Sequence, residues 1–396
     1  MSKRSPFAFG QTPFIAFLAF LSAFVPLSID LYLPALPIMS QQLEASPDLV
    51  NLTLSCFMLL FALSMLIWGP LSDKYGRRPI LFAGLGLYIA ASLGCALAGN
   101  IWQLIVGRSL QAVGSGALGA VTMAIVKDVF RGRVMENVLT AIQTMTILAP
   151  MLAPVLGGVL LTFTSWRGIF WILTICGAAG FACCFALRET LRHPTEGPAL
   201  HTLTRIPYVL KNRGFRSLLI VFSIFSMPFM AYLAASAYIY QSIFGFSAQM
   251  YSAFFAANAV FSMLGPLLYV RILRELPRSA FLGGCFIATA VAGLLLIFFG
   301  HTSPYVFAGL YFIVTFTGSA NRPPATVLMM SQLGSDNGTV ASLMGACALL
   351  CGSLAMLLCS LPWPSFIVAT GVICLVIGTA AAIGWFWCDR NKVFKG

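Results

Sequence analysis

One carboxylate in this chain stands where water does not reach. Of the 11 acidic residues, Asp30 alone lies deep inside a long apolar run, in Pro26-Leu-Ser-Ile-Asp-Leu-Tyr-Leu-Pro-Ala-Leu-Pro37. The others fall in polar connections or at the ends of runs. A charge in hydrocarbon costs several kcal/mol unless it faces protein or water. Burial favours the neutral acid and a nearby cation favours the ion. A carboxylate balanced between the two can bind and release a proton as its surroundings change; the alternative is a structural acid near the mouth of the apolar layer. Two cations are similarly placed. Arg108 opens Arg108-Ser-Leu-Gln-Ala-Val-Gly-Ser-Gly116. It either holds the ionised state of Asp30 or reaches out to the surface along its own stem. Arg322 lies in Ser319-Ala-Asn-Arg-Pro-Pro324, where paired prolines break a helix and free backbone carbonyls. It reads as an element of a polar cavity or gate, or as an arginine reaching the headgroups.

The elements that must position these groups are apolar helices. Hydrophobic residues make up 59% of the chain and charged residues 9%, against about 25% charged in a soluble domain. Twelve apolar runs can be read, roughly 13–37, 47–68, 79–98, 101–126, 138–161, 166–187, 217–242, 250–272, 279–299, 304–330, 339–361 and 365–387. Most are near the 20 or so residues that cross a bilayer. Lys3 and Arg4 precede the first run without a small-residue cleavage site, so it reads as a retained helix. The longest polar interruption, 188–216, divides residues 1–187 from 217–396 as a cytoplasmic linker divides two six-helix halves. With the N-terminus cytoplasmic, 23 Lys and Arg residues all fall on that side except Arg108, Arg167 and Arg322, which fixes the orientation with both termini inside. The net charge of +12 therefore belongs to topology and not to a nucleic-acid partner. Asp30 is seven residues from Pro37 and Arg108 eight from Asn100. Both then lie about 10–12 Å below the outer face, so a direct or water-bridged pair is allowed.

Between the second and third runs, Gly69-Pro-Leu-Ser-Asp-Lys-Tyr-Gly-Arg-Arg-Pro-Ile80 reads as a tight turn at the membrane face. Gly69 and Gly76 allow close approach and positive φ. Asp73 accepts hydrogen bonds, and Lys74, Arg77 and Arg78 hold the turn inside. The fifth run carries Ala149-Pro-Met-Leu-Ala-Pro-Val-Leu-Gly-Gly158. Pro150 and Pro154 each remove a donor, and Gly157 and Gly158 permit close helix contact. The seventh and eighth runs are aromatic, with Phe225, Phe229, Tyr232, Tyr238, Tyr240, Phe254, Phe255 and Phe261, and Asn258 is a possible polar anchor among them. Met227, Met230 and Met263 would give adaptable walls for varied apolar ligands.

Other chemistry finds little support. The 11 cysteines lie in or beside apolar runs without metal spacing; no disulfide or metal site is expected. His193, His201 and His301 sit in polar connections. No paired intramembrane acids, zinc motif or Walker sequence is present, which disfavours a membrane enzyme and leaves no catalytic residue.

The Gly69–Ile80 stretch resembles the signature loop of the major facilitator superfamily. Arg108-Ser-Leu-Gln111 resembles its R-x-x-Q-G motif, with Ala112 in place of the glycine. The 149–158 stretch resembles the proline–glycine motif of its antiporter branch. With the 26–37 stretch, Trp166-Arg-Gly-Ile-Phe-Trp171 and Arg188-Glu-Thr-Leu191, the whole resembles the Bcr/CflA drug-resistance branch. Gly265-Pro-Leu267 weakly echoes Gly69-Pro-Leu71, as a parallel repeat would.

The resemblance implies an all-α integral membrane protein of 12 transmembrane helices in two six-helix bundles around a central cavity. It implies a bacterial inner-membrane exporter, working as a monomer, that trades amphiphilic drugs or small metabolites for protons. No cofactor is required beyond the proton gradient. In that fold the first and fourth helices line the cavity. Asp30 and Arg108 then carry proton coupling, and Asp30, Tyr32, Arg108, Gln111, Phe229, Tyr232, Tyr238, Asn258 and Arg322 meet substrate. Gly69, Asp73, Gly76, Arg77, Pro150, Pro154, Gly157 and Gly158 govern gating. Asp73 would latch onto the positive end of the eleventh helix, near Asp336-Asn-Gly-Thr339. An importer or exporter of one native metabolite, such as an amino acid derivative, is the alternative; a membrane enzyme or receptor is a remote one.

Overall fold

A membrane interior offers backbone groups no water, so each span must satisfy its own N–H and C=O groups, and the α-helix does so within one segment. The computed structural model describes residues 10–191, 206–332, 337–391 and 393. It is helical in every apolar run. The helices are α1 (Gln11–Asp30), α2 (Leu36–Gln42), α3 (Pro47–Tyr75), α4 (Arg77–Ala96), α5 (Ile101–Val129), α6 (Gly132–Leu160), α7 (Trp166–Cys184) and α8 (Ile206–Lys211). They continue as α9 (Arg213–Ile224), α10 (Met227–Tyr238), α11 (Ala248–Arg271), α12 (Arg278–Phe299), α13 (Pro304–Ala320), α14 (Arg322–Met330), α15 (Asn337–Cys359) and α16 (Phe366–Arg390). Among the described residues, nine helical stretches are long and apolar enough to cross a membrane. In α6 and α15 the apolar parts are shorter, Leu148–Leu160 and Leu343–Cys359. The tenth expected run is divided at Asn321 into α13 and α14.

Two expectations need correction. The run 13–37 is not one helix. It leaves the α form after Asp30, passes a 3-10 turn at Leu33–Ala35 and resumes as α2. Pro34 and Pro37 have no N–H to offer the carbonyls of Asp30 and Leu33, and Ala35 N–H bonds to the Tyr32 carbonyl at 2.9 Å instead. The second correction concerns the stretch 69–80, which is not a twelve-residue turn. Helix α3 continues through Gly69 and Pro70 to Tyr75, with Ser72 Oγ bonding back to the Gly69 carbonyl at 2.8 Å. Only Gly76, at φ 103°, steps out of helix before α4 begins. A conformation with positive φ is open to glycine and strained for other residues.

The chain forms two compact units. One comprises Met1–Ala45 with Cys56–Leu203, the other Ser46–Ser55 with Thr204–Gly396. In the second unit, Phe225, Phe286 and Trp385 anchor a buried core, with Phe225 edge-on to Phe286 at 4.6 Å. In the first unit, α6 lies against the break in α1. A Cβ on Gly157 would fall 1.9 Å from the Leu31 carbonyl oxygen, so only glycine lets α6 approach the residue after Asp30. Overpacking of this kind costs about 1–3 kcal/mol. Gly157→Ala should therefore lower the apparent melting temperature of the purified protein by several degrees. Gly94→Ala, where a Cβ meets nothing within 4 Å, should leave it unchanged; equal melting of the two variants would refute the close approach.

Candidate functional site

Three polar places stand out: a charge cluster inside the first unit, an ion network at the α3–α4 junction and a cavity within the second unit. In the first, Arg108 is fully buried on α5. Its guanidinium carbon lies 4.2 Å from the Phe57 ring centre, 4.5 Å from Tyr32 and 5.9 Å from Phe170. Ring faces attract a desolvated guanidinium by about 2 kcal/mol or more. Nη1 donates to Gln111 Oε1, one helical turn on, and Nε and Nη2 have no hydrogen-bond partner. Gln111 Nε2 in turn donates to Ser92 Oγ at 2.7 Å, and Ser92 Oγ to the Tyr88 carbonyl at 2.7 Å. Tyr88 Oη shares a hydrogen bond with Ser28 Oγ at 2.7 Å. This run of bonds ties α5 to α4 and α1 and fixes where Arg108 points.

Asp30 closes α1, is buried, and its Oδ1 has no hydrogen-bond partner. It forms no ion pair with Arg108, because both ion pairs among the described residues belong to Arg77. Tyr32, two residues past Asp30, stands on the Arg108 side of the break, its ring against the guanidinium. The carboxylate and the guanidinium thus each keep unpartnered polar atoms in a dry setting. A rearrangement that lets them meet each other, water or a ligand gains what each now lacks.

The second place begins at Gly76. Arg77, 5% exposed, donates from Nε to Asp128 Oδ2 at 2.9 Å, from Nη1 to Asp73 Oδ1 at 2.5 Å and from Nη1 to Ser72 Oγ at 2.7 Å. The first N–H groups of α4 are met by a distant side chain. Glu189 accepts from Arg77 N and Arg78 N, each at 3.0 Å, and also from the amides of Thr190 and Leu191 at 2.9 Å. A carboxylate there satisfies donors and complements the positive helix end at once. A Cβ on Gly76 would lie 2.6 Å from Glu189 Oε2, a second reason for glycine.

The third place is a cavity of about 510 Å³ within the second unit. Phe222, Phe225, Phe229, Met230, Met329 and Met344 form much of its wall; Ser319, Asn321 and Arg322 line it at the α13–α14 break, and Thr315 lines it from within α13. Arg322 is its only charged lining residue among those described.

Several expected site residues meet in these places and several do not. Asp30, Tyr32, Arg108 and Gln111 gather in the first unit; Phe229 and Arg322 line the cavity. Tyr232 does not line it: its ring packs on Tyr311 at 4.6 Å and Phe255 at 5.7 Å. Tyr238 stacks on Phe366 at 5.1 Å. Asn258 is buried outside the cavity wall, with Oδ1 unpartnered. Pro150, Pro154, Gly157 and Gly158 all lie within α6. Asp336, His193 and His201 lie outside the described residues. Among the described residues no group of His, Cys, Asp and Glu is placed to hold a metal. Sequence reasoning missed Asp128, Glu189, Phe57, Phe170 and Asn321. A signal existed for Asp128, since Asp128-Val-Phe-Arg-Gly-Arg133 carries the same acid, glycine and two arginines as Asp73-Lys-Tyr-Gly-Arg-Arg78, with the glycine between the arginines.

An all-helical, multi-pass membrane chain with a buried carboxyl at a helix break and a buried guanidinium on α5 has the features of a membrane transporter. The profile of the Major Facilitator Superfamily matches residues 16–356, and the chain belongs to that superfamily. It is 32% identical over 389 residues, 95% of each chain, to the uncharacterized MFS-type transporter YdgK of Bacillus subtilis (strain 168). It is 32% identical over 244 residues, 60% of this chain and 61% of the other, to the multidrug resistance protein MdtL of Klebsiella pneumoniae (strain 342). The fold is shared with crystal structures of the peptide transporter POT in complex with sulfate (TM-score 0.76, 16% identity, 96% of each chain). It is shared also with a D-xylose–proton symporter (TM-score 0.71, 15% identity, 95% of this chain and 98% of that one). The protein is a transporter and not an enzyme.

Removing a helix-capping carboxylate costs about 0.5–2 kcal/mol. Glu189→Ala should therefore lower the melting temperature of the purified protein, and Glu189→Gln, which keeps an acceptor, should lower it less. Equal melting of Glu189→Ala and wild type would show that the α4 cap contributes nothing.

Proposed function

We propose that the chain is a proton-coupled exporter of amphiphilic drugs or small metabolites, working by alternating access, with Asp30 as the proton carrier. The observation that carries this is Asp30 itself: a buried carboxyl at a helix break, with an oxygen that no protein group meets. An ion left so costs several kcal/mol. Proton uptake removes that cost. A state that brings Asp30 to water or to a cation restores the ion and releases the proton. Arg108, held by rings and Gln111 but with two nitrogens unpartnered, is the cation that supports the ionised state. MdtL, by its name a multidrug resistance protein, supports the drug reading. The proline–glycine stretch on α6 favours exchange over symport by its resemblance to the motif of the antiporter branch.

On this reading the chain crosses the bacterial inner membrane twelve times, with both termini cytoplasmic, and acts as a monomer without a cofactor. Gly76, Arg77 and Asp73 form the cytoplasmic gate. Asp73 remains partly open, with 41% of its side chain exposed.

Inside-out vesicles test the coupling. Asp30→Asn should fold and retain binding of neutral drugs but lose drug accumulation driven by a proton gradient, while Asp30→Glu should keep a measurable fraction. Accumulation by Asp30→Asn at the wild-type rate would remove Asp30 from the mechanism.

A further inference from the structure

We infer that the cavity of the second unit is a binding site for an organic anion, its negative group at the α13–α14 break and its apolar body against the aromatic and thioether wall. The inference rests on the reading that this cavity lies on the transport path. Three side chains of the cavity lining carry it, two at the break and Thr315 six residues earlier on α13. Arg322 faces the cavity and forms no ion pair among the described residues. Asn321 is 2% exposed, and neither its Oδ1 nor its Nδ2 has a partner. Thr315 is 3% exposed, and its Oγ1 is likewise unpartnered. Both of these buried side chains belong to the cavity lining. Unmet polar atoms at such burial cost free energy unless a ligand meets them.

Their chemistry names the ligand. A guanidinium offers a planar fork of N–H donors that suits a carboxylate, sulfonate or phosphonate. The Asn321 amide and the Thr315 hydroxyl add two donors for its remaining oxygens. The helix α14 begins where α13 ends, so the two dipole ends offset one another and the side chains set the charge preference. Pro323 and Pro324 supply no N–H there, so side chains must make the contacts. The break is held firmly. A Cβ on Gly265 of α11 would fall 2.2 Å from Ser319 Oγ and 2.7 Å from Ala320 N, so α11 packs directly on it. The wall suits an apolar body of varied shape, since Met side chains adapt. The volume of about 510 Å³ fits a drug-sized ligand. No acidic residue among those described lines the cavity, so an amine would meet Arg322 unscreened.

Three fluorescent ligands of equal body decide the matter: dansylglycine (anionic), dansylglycinamide (neutral) and dansylethylenediamine (cationic). Binding is titrated to purified protein in phosphatidylcholine nanodiscs, with no proton gradient. Wild type should bind dansylglycine about tenfold more tightly than the amide, and the amine most weakly. Arg322→Gln should bring acid and amide within about twofold, and Arg322→Lys should keep part of the preference. Equal wild-type affinities, or an undiminished preference in Arg322→Gln, would overturn the assignment. If Arg322→Gln does not fold, Thr315→Val decides: it should weaken dansylglycine several-fold and the amide less, and unchanged dansylglycine affinity would count against the site. Repeating the titration with phosphatidylglycerol nanodiscs separates a soluble anion from a lipid headgroup. Loss of the preference there would assign the site to lipid and overturn the proposal. Failure of proton-driven export would sink the proposed exporter and leave this preference standing. Loss of the preference with intact export would sink the anion site alone.

Discussion

A charge or an open backbone group inside a bilayer has no water to fall back on, and that constraint shapes both units. Arg108 shows one way of meeting it. Its guanidinium is covered by the rings of Phe57, Tyr32 and Phe170 and held by Gln111, which lets a full charge sit in a dry place without an acid beside it. Arg77 shows another, with two carboxylates and a hydroxyl around one side chain at the membrane face. Asp30 meets it in neither way, since one of its oxygens has no partner, and even Arg108 keeps two unpartnered nitrogens. Arg322 is exposed and forms no ion pair among the described residues; Asp30 and Arg322 each lie at a helix break.

The two breaks have the same origin. Pro34 and Pro37 end α1 at Asp30, and Pro323 and Pro324 divide α13 from α14 at Asn321. In each unit a glycine of a neighbouring helix then packs against the break: Gly157 on the Leu31 carbonyl, Gly265 on Ser319 and Ala320. Proline removes donors and glycine brings a second backbone close, so the polar groups at the break are held in place while part of their hydrogen-bonding capacity stays open. A site that must take up and release a proton or a ligand needs that combination of fixed position and unfilled capacity.

Much of this was legible in the sequence, for identifiable reasons. Long apolar runs announce membrane helices because the bilayer filters composition so strongly, and an acid among them stands out by its cost alone. The positions of Asp30, Arg108 and Arg322 could be read on those grounds, and Gln111 by the resemblance of Arg108-Ser-Leu-Gln111 to a family motif. The turn at 69–80 misled, because Gly-Pro looks like a helix end, yet a proline is tolerated inside a membrane helix when neighbours take up the freed groups; the break is Gly76 alone. Tyr232 and Tyr238 misled for another reason. Aromatic residues on one helix say nothing of which face meets a cavity, and both pack into rings from other helices. Glu189 was out of reach of local reasoning, since it caps a helix start more than a hundred residues earlier in the chain.

The central claim is that Asp30 carries the proton and gives it up when drug binds. Infrared difference spectroscopy of the purified protein tests it most directly, because a protonated carboxyl has a C=O stretching band distinct from that of the carboxylate. The account predicts that adding drug to wild type removes such a band and adds a carboxylate signal, and that Asp30→Asn shows neither change. A drug-induced loss of the carboxyl band that persists in Asp30→Asn, or its absence from wild type, would contradict it.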